Sequence, residues 1–187
     1  MPKTQYYTAT TIDGFIADSD NSLGWLFEAE DDINRSPFPA FFADVGAFAM
    51  GATTYEWVLE HDSMLSRPAK WHEYYGSVPC WVFTHRDLPP IPGVDLRFVS
   101  GDVRPVHAEM AAAAGDKNLW VVGGGELAGR FADAGLLDEL ILGVTPATLG
   151  AGAPLLPRRL TASRLSLTDV ERRGQFAYLT YALAAPR

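Results

Sequence analysis

A strand-like run that ends in three consecutive glycines and continues into a helix restricts the fold of this chain more than any other feature. The segment, VVGGGELAGRF, extends from Val121 to Phe131. Because glycine has no Cβ, a ligand can approach the backbone closely, and the N–H groups at the start of the following helix can bind an anion. The pattern is typical of a pyrophosphate site, although a plain tight turn between a strand and a helix would use the same residues.

The glycines must also be tested against the Rossmann fingerprint G-x-G-x-x-A, which Gly123, Gly125 and Ala128 satisfy. That fingerprint belongs to the first βαβ unit of a domain, with an acidic residue at the end of the next strand. Here about 120 residues precede the motif, and Asp138 and Glu139 come before the next strand instead of ending it. The Rossmann fold is therefore the weaker alternative.

The rest of the chain alternates between strand-like and helix-like runs. Apolar and β-branched residues predict strands over Gln5–Thr11, Ala47–Met50, Val78–Thr84, Leu96–Ser100, Leu119–Val122 and Leu140–Thr145. Helices are predicted from Ser36-Pro37 through Phe38, Phe41, Phe42 and Val45, and over Thr53–Leu59, Val106–Ala114 and Glu126–Ala134. This order indicates a parallel sheet with helices on both faces.

The C-terminal part has a different pattern. Leu165–Val170 and Phe176–Leu183 alternate in the manner of an antiparallel hairpin that turns at Arg173-Gly174. The predicted fold class is therefore α/β, with three layers and a mixed, mostly parallel sheet that ends in an antiparallel hairpin.

Length and composition set further limits. A chain of 187 residues fits a single domain over residues 1–187. The net charge of −8 argues against a nucleic-acid partner. Neither a signal core nor an apolar run of membrane-spanning length is evident, so we expect a cytoplasmic protein. Cys80 is the only cysteine, and the four histidines lack metal-like spacing, so no metal site is expected.

Two more strand ends carry residues suited to a ligand. The strand that ends at Met50 meets its helix through Gly51-Ala52, with the hydroxyls of Thr53 and Thr54 at the helix start, where one of them could simply be the N-cap. The strand that ends near Thr84 is followed by His85 and Arg86. Because ligands of open α/β sheets gather at the carboxyl ends of strands, these residues predict one shared ligand edge.

The order and spacing of five segments resemble the dihydrofolate reductase-like superfamily, and within it a stand-alone member of the riboflavin-biosynthesis deaminase-reductase C-terminal (RibD C-terminal) domain family. The segments cover nearly the whole chain: TTIDGFIA (Thr10 to Ala17), Gly24-Trp25, MGATTYEWV (Met50 to Val58), VVGGGELAGRF, and LLDELILGVTPATLGAGAPLL (Leu136 to Leu156). The resemblance implies a mixed sheet of about eight strands flanked by helices, with an antiparallel last strand.

The resemblance also implies a cofactor, NADPH, and the residues that bind it. By analogy, the nicotinamide would contact Ala9, Ile16 and Ala17, and the phosphates would contact Gly51, Thr53 and Thr54. The adenosine ribose and its 2′-phosphate would lie near Thr84, His85 and Arg86. The pyrophosphate turn would comprise Val122, Gly123, Gly124, Gly125, Glu126 and Leu127, with a cis peptide between the first two glycines. Where the family commonly has Arg, this chain has Ala52, so NADH remains an alternative cofactor.

Relatives of this kind imply a reductase that transfers hydride to a small heterocyclic or ribosylamino-pyrimidine-like acceptor, and analogy suggests a homodimer formed through the apolar last strands. Asp31 and Asp32 are candidate proton donors by position alone, and acids solvated ahead of a helix would look the same. The alternative is a catalytically silent protein that binds a nucleotide or another small ligand on the same fold. The aromatic residues Trp57, Trp71, Tyr74 and Tyr75 would form either an acceptor platform or core packing.

Overall fold

The computed structural model describes residues 1–29 and 36–186. In chain order, its elements are β1 (Thr4–Thr11), β2 (Phe15–Ala17), α1 (Gly24–Phe27), α2 (Phe38–Ala43), β3 (Val45–Gly51), α3 (Ala52–His61), α4 (Ala69–Tyr75), β4 (Cys80–Phe83), β5 (Leu96–Val99), α5 (Val103–Ala114), β6 (Asn118–Gly123), α6 (Gly125–Asp133), β7 (Glu139–Thr145), β8 (Ala153–Pro154), β9 (Leu165–Arg173) and β10 (Phe176–Leu183). No helix among the described residues is long and apolar enough to cross a membrane.

Within the described residues, eight strands form one sheet in the order β5-β4-β3-β6-β1-β7-β10-β9. Neighbours from β5 to β7 pair in parallel, and β10 is antiparallel to both β7 and β9. Strands β2 and β8 form a separate antiparallel pair. The predicted dihydrofolate reductase-like fold, with its mostly parallel sheet and antiparallel C-terminal hairpin, is confirmed.

Two hydrophobic cores lie on opposite faces of this sheet because successive side chains of a strand point to opposite sides. On β3, Ala47 and Ala49 belong to one core, whereas Phe48 and Met50 belong to the other. The first core packs against α5 and α6, and the second packs against α3 and α4. The small alanines of β3 face α5, and Gly46 next to them leaves room for the Ala114 backbone of that helix. The three layers follow from this alternation.

The structure shifts several predicted element boundaries, and two of these shifts concern the ends of helices α2 and α5. The first predicted amphipathic helix includes Val45, but α2 ends at Ala43 and Val45 is a buried residue of β3. Helix α5 begins at Val103, earlier than predicted, because the Asp102 carboxylate caps it by accepting a hydrogen bond from the Arg104 N–H. Pro105 is tolerated there because it lies in the first turn, whose N–H groups need no helical partner.

The hairpin turn agrees with the sequence prediction, and the single cysteine is buried. Strand β9 ends at Arg173, and Gly174 adopts a positive φ of 60° before β10 begins at Phe176. Cys80 is a buried free thiol whose pKa is raised well above its ordinary value by burial. Such a thiol is a packing residue, because the reactive thiolate form is disfavoured.

His107 provides a test of the packing of α5 against β1. Its ring Nε2 lies 2.8 Å from Thr4 Oγ1, and desolvation by burial lowers its pKa, while the nearby charge of Asp138 acts in the opposite direction. The unfolded chain therefore binds a proton at higher pH than the folded chain does. Stability should fall as the pH drops through the unfolded histidine pKa of about 6.5.

We expect chemical denaturation at a series of pH values from about 7.5 to about 5.5 to reveal this loss. His107→Gln should reduce the slope because it removes the titrating ring and keeps a polar partner for Thr4. A variant whose stability depends on pH as steeply as that of the wild type would contradict the assignment.

Candidate active site

The site begins where two neighbouring parallel strands, β3 and β6, end side by side. Met50 of β3 pairs with Gly123 of β6, so Gly51 lies directly against the glycine turn. A Cβ placed on Gly51 would be 3.8 Å from both the Gly123 carbonyl oxygen and the Gly124 nitrogen. The two predicted phosphate junctions are therefore one continuous backbone surface.

The glycine turn itself has the predicted geometry. The Gly123–Gly124 peptide bond is cis, as the family resemblance implied. Gly124 is the N-cap residue of α6, and no side chain caps this helix start. A Cβ on Gly125 would lie 2.3 Å from the Pro154 carbonyl oxygen and 2.5 Å from that of Leu155. Glycine is required at this position because β8 crosses the start of α6 in direct backbone contact.

The junction after β3 is also uncapped. Gly51 is the N-cap residue of α3 with φ −80° and ψ 165°, and no side chain accepts a hydrogen bond from the first turn. The alternative in which Thr53 or Thr54 serves as the N-cap is therefore wrong. Both threonines lie within the first turn of α3, and the Thr54 hydroxyl lies 3.2 Å from where a Cβ of Gly123 would be. Two helix starts with free N–H groups thus converge on one place.

A cavity of about 670 Å³ opens at this place, within the size range of small-molecule sites. Its wall within the described residues combines the ends of β3, β4 and β6, the starts of α3 and α6, and parts of β1, β2, α4, β8 and adjoining loops. These residues are Thr8, Ile16, Ala17, Asn21, Leu23, Gly51, Ala52, Thr53, Thr54, Trp57, Val58, Tyr75, Phe83, Val122, Gly123, Gly124, Gly125, Glu126, Leu127, Arg130, Ala153, Pro154 and Pro157.

Most of the residues predicted for cofactor binding meet in this wall. Eleven of the fifteen line the cavity, namely Ile16, Ala17, Gly51, Thr53, Thr54, Val122, Gly123, Gly124, Gly125, Glu126 and Leu127. Ala9 is not among them; its neighbour Thr8 is, and alternate residues of a strand point to opposite faces. Asp31 and Asp32 lie outside the described residues.

The third predicted junction, Thr84 to Arg86, does not line the cavity either. Thr84 Oγ1 accepts a hydrogen bond from the Arg86 backbone N–H at 2.9 Å, which closes a small turn after β4. The Arg86 guanidinium donates two hydrogen bonds to the Glu56 carboxylate, at 2.8 and 2.9 Å, and His85 is exposed. The sequence could not show that Arg86 is bonded by an acid on α3.

A second arginine, Arg158, forms an ion pair with Glu126 at the start of α6. Arg158 Nη1 and Nη2 donate to the two Glu126 oxygens at 2.9 and 2.7 Å, and Arg158 Nε donates to Asp133 at 2.7 Å. These hydrogen bonds lower the pKa of Glu126 and raise that of Arg158. Gly129 makes room for the pair, because a Cβ there would be 2.7 Å from Arg158 Cζ.

The opposite wall depends on Asp13, in the predicted turn after β1. Its carboxylate accepts hydrogen bonds from Thr11 Oγ1 at 2.6 Å and from the backbone N–H groups of Leu149 and Gly150, the latter at 2.7 Å. These bonds lower the pKa of Asp13, with the Thr11 bond contributing most. The turn is thereby tied to the loop before β8, and the β2–β8 pair stays against the glycine turn.

Comparison with known proteins identifies the family. The model of the RibD C-terminal domain family matches residues 74–178. The chain belongs to the RibD C-terminal domain family. The uncharacterized protein YwjB of Bacillus subtilis (strain 168) is 32% identical over 184 residues, which cover 97% of this chain and 98% of that protein.

Solved structures of similar proteins agree with this assignment. A putative riboflavin biosynthesis protein from Shewanella sp. PV-4 is 25% identical, with a TM-score of 0.78 over 97% of this chain and 99% of its own. A pyrimidine reductase-like protein from Corynebacterium diphtheriae shares the fold, with 14% identity, a TM-score of 0.70, and coverage of 99% and 93%. A deaminase/reductase from Thermotoga maritima, 17% identical with a TM-score of 0.63, is covered over 57% of its length by 98% of this chain.

Several wall residues of this RibD C-terminal domain were missed by the sequence reasoning. Arg130, one turn after Glu126 on α6, is the most informative, because it is the cationic side chain in the described wall. The signal was its i,i+4 spacing from Glu126, immediately beyond the glycines.

The four aromatic residues expected to form either an acceptor platform or core packing divide between the two roles. Trp57 and Tyr75 line the cavity, whereas Trp71 is fully buried in the core and Tyr74 is exposed.

The close approach of β8 to the glycine turn can be tested by adding single methyl groups. Gly125→Ala should lower the free energy of unfolding by about 1–3 kcal/mol, because its Cβ would overlap two carbonyl oxygens that cannot move independently. The matched variant Gly51→Ala adds its Cβ at ordinary contact distance on the same cavity wall, so it should cost less than about 1 kcal/mol. Denaturant unfolding curves measure both values, and equal losses would contradict the contact.

Proposed function

We propose that this chain is an NADPH-dependent reductase that transfers hydride to a small heterocyclic acceptor of the ribosylamino-pyrimidine class. The observation that carries the proposal is the convergence of two uncapped helix starts and three glycines on one cavity at the carboxyl edge of the sheet. Membership of the RibD C-terminal domain family supports the same class of reaction.

The cavity suits the pyrophosphate of a dinucleotide. Residues at the starts of α3 and α6 line it, and the dipoles of both helices favour negative charge there. Gly51, Gly123 and Gly124 have no Cβ to prevent an oxygen from approaching the backbone. The hydroxyls of Thr53 and Thr54 add two donors. The residues present therefore fit the group that the family implies.

The β2 side of the cavity suits the nicotinamide ring. Ile16 and Ala17 of β2, together with Leu23, give this part of the wall an apolar surface, and Thr8 and Asn21 supply polar groups beside it. An apolar wall excludes water and orients the ring against an acceptor. NADPH, when bound, supplies the hydride; reduction of a ribosylamino group to a ribitylamino group also takes up one proton.

The source of that proton separates the proposal from the alternative of a silent binding protein. In the described wall, the side chains that could release a proton as acids are Glu126 and Tyr75. Glu126 is bonded by Arg158, and burial raises the pKa of Tyr75, so neither is suited to donate at neutral pH. This observation favours the alternative, in which the same cavity binds a nucleotide without turnover.

A titration followed by a turnover assay decides between the two. We expect NADPH to quench tryptophan fluorescence to saturation, because Trp57 lines the cavity, and Trp57→Phe should bind with a smaller quench. The nicotinamide absorbance should then fall only when 5-amino-6-(5-phosphoribosylamino)uracil, the acceptor class of the Thermotoga maritima reductase, is added.

Three outcomes are distinct. Acceptor-dependent oxidation of NADPH supports the reductase. Saturable binding without oxidation by this or related pyrimidine acceptors supports the silent binding protein. The absence of any quench with NADPH or NADH would contradict both functions, provided that circular dichroism shows a folded chain.

We also propose that two copies of the chain associate through the β9–β10 hairpin. The pairing register places Leu167 and Val170 on the same face as Leu179 and Tyr181, and the first two are 54% and 61% exposed. An apolar strip at the edge of a sheet is a typical interaction surface.

Light scattering tests this association. The wild type should have twice the chain mass of 20.4 kDa, and Val170→Asp should reduce it towards one chain by placing a charge in the strip. Ser166→Asp, an exposed change on the other face of β9, is the matched control and should remain dimeric. A monomeric wild type would contradict the proposal.

A further inference from the structure

Arg130 is the cationic side chain in the described wall of the cavity, and neither the family match nor the sequence motifs assign it a role. We propose that Arg130 binds the 2′-phosphate of NADPH and thereby makes the site select NADPH over NADH. The inference rests on the proposed function, because it requires that a nicotinamide dinucleotide occupy the cavity.

The position of Arg130 follows from the strand order. The glycine turn lies at the ends of β3 and β6, in the middle of the parallel strands β5-β4-β3-β6-β1-β7. An extended dinucleotide whose pyrophosphate lies there must direct its two halves along the sheet edge in opposite directions. The apolar wall of β2 contacts the β1 side, where Thr10 Oγ1 donates to the Phe15 carbonyl. The adenosine half is therefore directed towards β4 and β5.

Arg130 lies on that β4–β5 side. Its guanidinium carbon is 5.5 Å from the centroid of the Phe83 ring, at the end of β4. Its Nη2 donates a hydrogen bond to the carbonyl of Gly101, just beyond β5. Because adjacent strands are about 4.8 Å apart, β4 and β5 are roughly 10 and 14 Å from β6. A pyrophosphate between β3 and β6 therefore lies one to two strand spacings from β4, a distance comparable with the span across one ribose from its 5′-phosphate to its 2′-phosphate.

The guanidinium is held in place yet keeps free bonding capacity. The Phe83 ring and the Gly101 carbonyl fix its orientation through a cation–π contact and one hydrogen bond. A guanidinium has five N–H donors, so others remain for a phosphate, which it can bind through two parallel hydrogen bonds.

The acids nearby leave this charge available. Glu126, one turn earlier on α6, senses the Arg130 charge, but Arg158 bonds both of its oxygens. Among the described carboxylates, none forms an ion pair with Arg130 within 4 Å. Pairing of the Glu126 charge by Arg158 therefore leaves Arg130 free to bind a phosphate.

Arg86 is the competing candidate, and its surroundings differ. Both of its terminal nitrogens are bonded to Glu56, and its side chain is 57% exposed. To bind a phosphate, Arg86 would have to give up its ion pair with Glu56. In this exposed position, loss of that ion pair would cancel most of the free energy gained from the phosphate. We therefore expect Arg86 to contribute little to cofactor choice.

The test measures dissociation constants for NADPH and for NADH by tryptophan quenching in the intact chain. Arg130→Gln should weaken NADPH binding by about 10- to 100-fold, the range expected for loss of charged hydrogen bonds, and should change NADH binding by less than about 3-fold. Arg130→Lys keeps the charge but loses the planar pair of donors, so it should give an intermediate loss.

Two further arginine variants serve as controls. Arg86→Gln and Arg104→Gln, the latter on the outside of α5 beside Asp102, should each leave the ratio of NADPH to NADH affinity unchanged within about 3-fold. Added salt should weaken NADPH binding more in the wild type than in Arg130→Gln, because the removed interaction is ionic.

The outcomes distinguish this inference from the proposed function. A wild type that binds neither dinucleotide overturns the proposed function and the inference together. A wild type that binds them, with Arg130→Gln and Arg130→Lys both retaining the wild-type affinity ratio, overturns the inference alone. Equal weakening of NADPH and NADH would make Arg130 a general packing residue of the wall, and a selective loss in Arg86→Gln would assign the phosphate to Arg86; either result overturns it.

Discussion

Met50 of β3 pairs with Gly123 of β6, and this parallel register brings the starts of α3 and α6 to one point of the sheet edge. Each helix start presents unpaired N–H groups, and side chains cap neither of them. An uncapped helix start costs free energy unless water or a ligand binds its N–H groups. Two such helix starts side by side add their positive potentials in the cavity that the other wall residues enclose.

The far wall of the cavity is held by contacts that tolerate no added atoms. Gly152 has φ 145°, and a Cβ on it would lie 2.1 Å from the Ala17 carbonyl oxygen, just as a Cβ on Gly125 would overlap Pro154. Strands β2 and β8 therefore lie between two glycines that permit direct backbone contact. Asp13 completes the arrangement by accepting the N–H groups of the loop before β8. The β2–β8 pair is too short to be stable by its own strand pairing, so the glycine contacts and the Asp13 carboxylate fix its position.

The sheet was predictable from the sequence because alternation carries the information. Strands β3, β4 and β6 each place alternate apolar residues in different cores, as with Trp81 and Val82, and the long apolar runs that result indicate buried strands. The short elements α1, α4, β2 and β8 were not predicted, because a segment of two to seven residues shows no full period of any pattern. Their positions are set by tertiary contacts.

The same distinction applies to the site. The glycine turn could be located because consecutive glycines themselves indicate a close approach of the backbone. The sequence pointed to Arg86 at a strand end, and only the folded chain shows that Glu56 on α3 bonds Arg86 while Arg130 lines the cavity. Glu56, which bonds Arg86, is 30 residues away along the chain. A pairing of that kind has no local signature.

The net negative charge of the chain is compatible with the proposed polyanionic cofactor, because salt screens charges that lie far from the cavity. The net charge of −8 is spread over the surface, and at physiological salt its field decays over about 8 Å. Glu126 lines the cavity and is the acid that would oppose binding of an anion there most directly, and Arg158 bonds both of its oxygens. With that charge paired, the helix starts and the Arg130 guanidinium are the positive groups nearest the cavity, which is the arrangement that the proposed phosphate site requires.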